Sequence, residues 1–146
     1  MKIGYFAVGI GATVEPGLVR SVATTAERLG FATLWAPEHV VLVQQYASKY
    51  PYSDGRFPGP PDIPIADPFT TLAYAAACTS TIRLGTGICL VPEHNPLVLA
   101  KTVATVDRLS GGRFFSASES AGWPRSSRRS ASRSSAAPRE RANISM

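Results

Sequence analysis

Residues 2–8, KIGYFAV, form a short run of apolar and β-favouring side chains, the pattern of a strand. A glycine-rich turn, GIGATVEPG, follows, and from Pro16 the spacing turns helical. Leu18, Val22, Ala26 and Leu29 recur at i, i+4, i+8 and i+11, one stripe of an amphipathic helix. Pro16 in the first turn and Gly30 just past the last bracket this helix over 16–29. A second apolar run, 31–36, then reads as a strand. Strand, helix and strand in this order make a βαβ unit, which joins parallel strands.

Residues 44–68 break the pattern. They are rich in proline, yet they carry Tyr46, Tyr50, Tyr52 and Phe57. A solvated linker rarely holds so many rings, so a long ordered loop is expected, the kind that usually serves a function. Asp67-Pro68 opens a second helix over 68–80. Residues 82–91 read as a third strand with glycines at 85 and 87, and glycine inside a strand marks a bulge or a close approach. Asn95-Pro96 opens a third helix, with Leu97, Ala100, Lys101, Ala104 and Leu109 along it, and Gly111-Gly112 ends it. Arg113-Phe114-Phe115 starts a fourth strand. Alternating strands and helices imply an α/β fold with a parallel sheet, open or closed into a barrel.

Composition adds limits. The 146 residues are 45% hydrophobic and 17% charged, a globular balance. Cys78 and Cys89 are too few for a disulfide framework or a thiolate cluster, and both read as packed core. No apolar run is long enough to span a membrane, and the N-terminus lacks a signal-peptide pattern, so a cytoplasmic protein is expected. The net charge of +5 is uneven: residues 1–115 hold nine Lys/Arg and eight Asp/Glu, whereas residues 116–146 hold six Arg and two Glu. With one aromatic ring and no repeat register, the Ser/Arg-rich tail gives no basis for nucleic-acid binding.

Three segments carry a resemblance. Asn95 to Arg113, NPLVLAKTVATVDRLSGGR, resembles the signature helix and following turn of the luciferase-like monooxygenase superfamily. Arg83 to Pro92 resembles its third strand, and Leu34 to His39, LWAPEH, the end of its second. The resemblance implies a (β/α)8 TIM barrel of flavin or deazaflavin enzymes. The insertion YPYSDGRFPGPPDIPIADP is most similar to the branch that uses coenzyme F-420. The implied activity is hydride transfer to or from that deazaflavin, on a small-molecule substrate, by a homodimer when the protein is full length. An FMN-dependent monooxygenase is the alternative, and an inactive fragment with no cofactor a second.

By the same resemblance, His39 faces the cofactor ring as acid/base or polar anchor; a surface-loop histidine is the other reading. Glu38 reads equally as a hydrogen-bond partner of the cofactor or as a solvated carboxylate. Gly87 and Ile88 would form a bulge with a non-prolyl cis peptide beneath the ring. Gly85-x-Gly87 is no dinucleotide fingerprint, because no helix begins directly after it. With only two histidines, His39 and His94, and no paired carboxylates beside them, no metal site is expected.

Such a barrel needs about 250 residues, and residues 1–115 supply three and a half of its strands. Half a barrel exposes its edge and its inner face, so the isolated chain should be unstable or self-associating. From about residue 116 the family pattern stops. Taking each codon one base earlier, with GC-rich codons and third bases and some Ser and Arg codons chosen to fit, Ser116–Ser132 can read LGVGVGWLAEEFAALGV, a glycine- and valine-rich strand followed by a helix. We therefore expect residues 116–146 to be a frameshifted, disordered tail.

Overall fold

The computed structural model describes residues 1–42, 55–60 and 62–119. Tyr46, Tyr50 and Tyr52 of the long loop, and the tail from residue 120 onward, lie outside the described residues. The elements are β1 (Gly4–Phe6), α1 (Pro16–Arg28), β2 (Thr33–Ala36), α2 (Pro68–Cys78), β3 (Arg83–Leu90), α3 (Pro96–Leu109) and β4 (Phe114–Glu119). The strands form one sheet in the order β1-β2-β3-β4, and each neighbouring pair is parallel. This is the α/β alternation expected of a (β/α)8 barrel, with four of its strands present.

The strands are placed as read, with β2 and β3 trimmed at their ends and with larger differences in β1 and β4. β1 is confined to three residues because only Gly4, Tyr5 and Phe6 pair with β2. β4 continues through Glu119, with Ser118 opposite Cys89 and Glu119 opposite Leu90. A tail boundary at residue 115 therefore falls inside a strand, since the backbone of 116–119 pairs with β3 whatever its side chains.

The helix faces are also shifted. In α1 the buried residues are Val19, Ala23 and Ala26, while Leu18 and Leu29 are exposed. Of the stripe read from the sequence, Ala26 is buried and Val22 packs against the core, whereas Leu18 and Leu29 at its ends lie off the inward face. In α3, Val106 is buried with Leu99 and Val103 against the core, and Leu97 and Leu109 face outward. Both helices carry apolar residues on more than one face, so periodicity does not single out the side that meets this sheet.

The core lies between the helices and one face of the sheet. Leu34, Leu72, Leu84 and Val8 are fully buried there. The period of two along the strands sends Trp35 and Gly85 to the opposite face. On that face the rings of Trp35 and Phe115 meet edge to face, with centroids 4.8 Å apart. A Cβ on Gly85 would lie 2.6 Å from the Phe115 ring and 3.0 Å from Trp35. Glycine is required there because neighbouring rings occupy the space of a side chain.

Two charged side chains fasten the N-terminal end of the sheet. The Glu27 carboxylate accepts the backbone N–H of Ser80, Thr81 and Ile82 at 2.9, 2.6 and 2.9 Å. Burial alone would raise its pKa, but these donors and the Thr81 hydroxyl outweigh it and hold the carboxyl at about 2. The Arg113 guanidinium donates to Ser110 O, Ala76 O, Thr79 O and Ile82 O at 2.7–3.1 Å. It thereby satisfies carbonyls at the open end of α2.

Candidate functional site

The opposite end of the sheet, where β2 and β3 finish, gathers the residues singled out by the sequence. Parallel α/β folds place their chemistry at this end, because the loops there are free of the packing between strands and helices. β2 ends at Ala36, and Pro37, Glu38 and His39 follow. The pairing of β3 with β4 shifts register between Thr86 and Cys89, and the Gly87–Ile88 peptide within that shift is cis. The bulge and the cis peptide thus stand where the resemblance put them. A second cis peptide, Phe6–Ala7, ends β1.

Exposed apolar side chains form a ledge here. Ile88 is 38% exposed and Phe6 62%. A Cβ on Gly87 would lie 3.2 Å from both the Phe6 and Trp35 rings. Among the described residues, the Phe6 and Trp35 rings therefore occupy the place of a Gly87 side chain, and Ile88 and Phe6 present an exposed apolar edge of the kind that can contact a planar ring.

His39 is half-buried, and its ring meets Phe57 edge-on at 5.2 Å. Burial lowers its pKa from the ordinary value, against the opposing charge of Glu38. A neutral imidazole has one donor and one acceptor nitrogen, so it can take or give a proton at neutral pH. The described part of the long loop reaches the same region. Ile65 bridges Ile10, Gly11 N–H donates to Pro64 O at 2.9 Å, and Ala66 N–H donates to Gly9 O at 2.9 Å.

Glu38 is not a solvated carboxylate: it is 5% exposed. Its Oε2 accepts the Leu90 N–H at 2.5 Å, and its Oε1 lies 2.8 Å from His94 Nε2. Cys89 is fully buried. Burial, and after it the charge of Glu38, push its thiol up to about 12, so it is no nucleophile. One ligand atom each of Glu38, Cys89 and His94 lies within 4.8 Å of the others. The sequence reading missed this cluster. Cys89 and His94 lie close together in sequence with no metal-motif spacing, Glu38 comes from a distant segment, and only the parallel pairing of β2 with β3 joins them.

Among the described residues, no helix is long and apolar enough to cross a membrane.

The luciferase-like monooxygenase family model matches residues 1–117. The chain is 44% identical over 104 residues to 4-hydroxyprotoasukamycin monooxygenase of Streptomyces nodosus subsp. asukaensis, covering 68% of this chain and 23% of that protein. It is 25% identical to an F-420-dependent secondary alcohol dehydrogenase solved with an F-420–acetone adduct, covering 80% and 31% of the two chains with a TM-score of 0.58. A type II Baeyer-Villiger monooxygenase component from Pseudomonas putida, solved with FMN, shares the fold at 20% identity, covering 89% and 32% with a TM-score of 0.61. The chain spans about a third of the length of curated relatives that it matches at 40% identity.

Proposed function

The chain belongs to the luciferase-like monooxygenase family, and on that premise we propose that it supplies one wall of the active site of a coenzyme F-420-dependent oxidoreductase. The observation that carries this reading is the exposed apolar edge of Ile88 and Phe6 at the β3 bulge, level with the end of β2 that bears His39. Such a surface accepts the face of a tricyclic ring. When bound, the deazaflavin would supply two-electron hydride chemistry, and the protein would position it.

In this reading Ile88 and Phe6 contact the ring and exclude water from it. His39 holds a proton at an imidazole nitrogen, donating to or accepting from the reacting substrate atom. Phe57 fixes the imidazole plane from the loop side. Glu38, with both oxygens engaged by Leu90 and His94, shapes the loop that carries His39.

The deazaflavin is preferred because the insertion before α2 is most similar to that branch, and its Phe57 stands against His39. The second reading, FMN-dependent oxygenation, is favoured by the FMN-bound fold neighbour and by the same apolar ledge, which would seat either ring. Absence of disulfide chemistry from this reading suits the free cysteines Cys78 and Cys89, and we place the protein in the cytoplasm. We read the whole protein as a homodimer acting on a small molecule.

The test is a titration of the whole protein, with the downstream frame restored, against coenzyme F-420 and FMN, followed by changes in cofactor absorbance. Tight binding of coenzyme F-420 and reduction by a small-molecule donor are expected. Binding of FMN alone would replace the first reading by the second. The 146-residue chain by itself should bind neither at micromolar concentration, because one wall cannot cover the roughly 70–90% of ligand surface that such sites bury.

A further inference from the structure

We propose that Glu38, Cys89 and His94 form a binding site for a borderline-soft divalent cation of the zinc class at the C-terminal end of β2 and β3. The inference is independent of which ring the neighbouring ledge accepts. The three groups offer a carboxylate oxygen, a sulfur and an imidazole nitrogen within 4.8 Å of one another. Zinc takes this mixture of donors in tetrahedral sites, with bonds of about 2.0–2.3 Å that put its ligands roughly 3.5 Å apart. Closing the cluster therefore needs side-chain shifts of about 1 Å.

Two of the three residues, Glu38 and Cys89, are buried, so water competes weakly for the cation. The Glu38 carboxylate is already oriented, because Leu90 N–H holds Oε2 and leaves Oε1 toward His94. A hydrogen bond behind a ligand in this way fixes its direction and raises metal affinity. The Phe69 and His94 rings meet edge to face, with centroids 5.9 Å apart. The His94 side chain is 20% exposed and gives the cation its route in.

Charge favours the same occupant. Among the described residues, the ion pair of Glu38 is with His94 and not with a lysine or arginine. On binding, the Cys89 S–H bond breaks, a metal–sulfur bond forms, and the proton leaves to buffer. One carboxylate and one thiolate then balance a charge of two. Three protein ligands leave a fourth position for water or an external ligand. Because Glu38 immediately precedes His39, the cation would also fix the segment that carries the imidazole.

The experiment uses the reduced, metal-free 146-residue chain. It is titrated with zinc in competition with a chromophoric chelator, and separately with cobalt(II). One equivalent of zinc should bind, and the cobalt form should show thiolate-to-metal charge-transfer absorption. Cys89→Ser should abolish that band, and Cys89→Ser and His94→Gln should each weaken zinc at least tenfold. Cys78→Ser should leave both readouts unchanged. Absence of the thiolate band in the unaltered chain overturns the site whether or not any variant folds. Equal zinc affinity in the unaltered, Cys89→Ser and His94→Gln chains overturns it as well.

Discussion

The Glu27 carboxylate accepts the Thr81 N–H at 2.6 Å, across 54 positions of sequence. One acidic side chain at the end of α1 thereby organises the entry to β3, also engaging Ser80 and Ile82. The arrangement converts a surface position on a helix into a fastening between two βα units.

Its consequence is a pH-dependent stability. The folded pKa of Glu27 is held at about 2, below the ordinary 4.5, so its contribution is present above pH 4.5 and fades as pH falls toward 2. Glu27→Gln should lower stability by about 1 kcal/mol at pH 7, a modest value because solvent screens a half-exposed group. Urea unfolding at pH 7 and near pH 2 should show the difference between the two chains closing in acid. An equal difference at both pH values would show that charge is not involved.

Arg113 should matter more than its place in a turn suggests. Its guanidinium reaches Ser110, Ala76, Thr79 and Ile82. Arg113→Ala leaves several carbonyls without this donor and should cost about 2–3 kcal/mol. Arg113→Lys should recover less than half of that, since an ammonium lacks the planar fork. Denaturation midpoints of the three chains decide the matter, and parity of Lys with Arg would refute the fork argument.

Gly85→Ala should destabilise by about 1–3 kcal/mol through overpacking. The added methyl would meet Phe115, whose ring also lies 4.6 Å beneath the Arg83 guanidinium. Gly17→Ala is the control, because a Cβ there has nothing within 4 Å. Thermal midpoints should fall for position 85 and hold or rise for position 17.

In the frame-restored whole protein, His39→Ala should lower hydride transfer by about 10²–10⁴-fold, the range of general acid/base help. Cofactor affinity should change far less, because Gly87, Ile88 and Phe6 remain. Stopped-flow rates set against equilibrium titrations separate the two effects. An unchanged rate would remove His39 from the chemistry.

The reading-frame proposal is checked on DNA. Past codon 115 a second frame should encode LGVGVGWLAEEFAALGV and remain open beyond it. A gene in which that frame is closed at once ends the proposal.

Local chemistry in the sequence was enough to determine the order and type of the elements. Pro16, Pro68 and Pro96 begin their helices and Gly30 and Gly111 follow two of them, because these residues act through their own backbone angles. The glycine pair likewise marked the bulge in β3. Tertiary structure alone decided which helix face is inward: Val19 is covered and Leu18 exposed, although both are apolar, because only the neighbouring sheet distinguishes them. It also decided the fate of Glu38. Whether that carboxylate meets water, a ring or His94 depends on strand register, and register is set by pairing between segments some 50 residues apart.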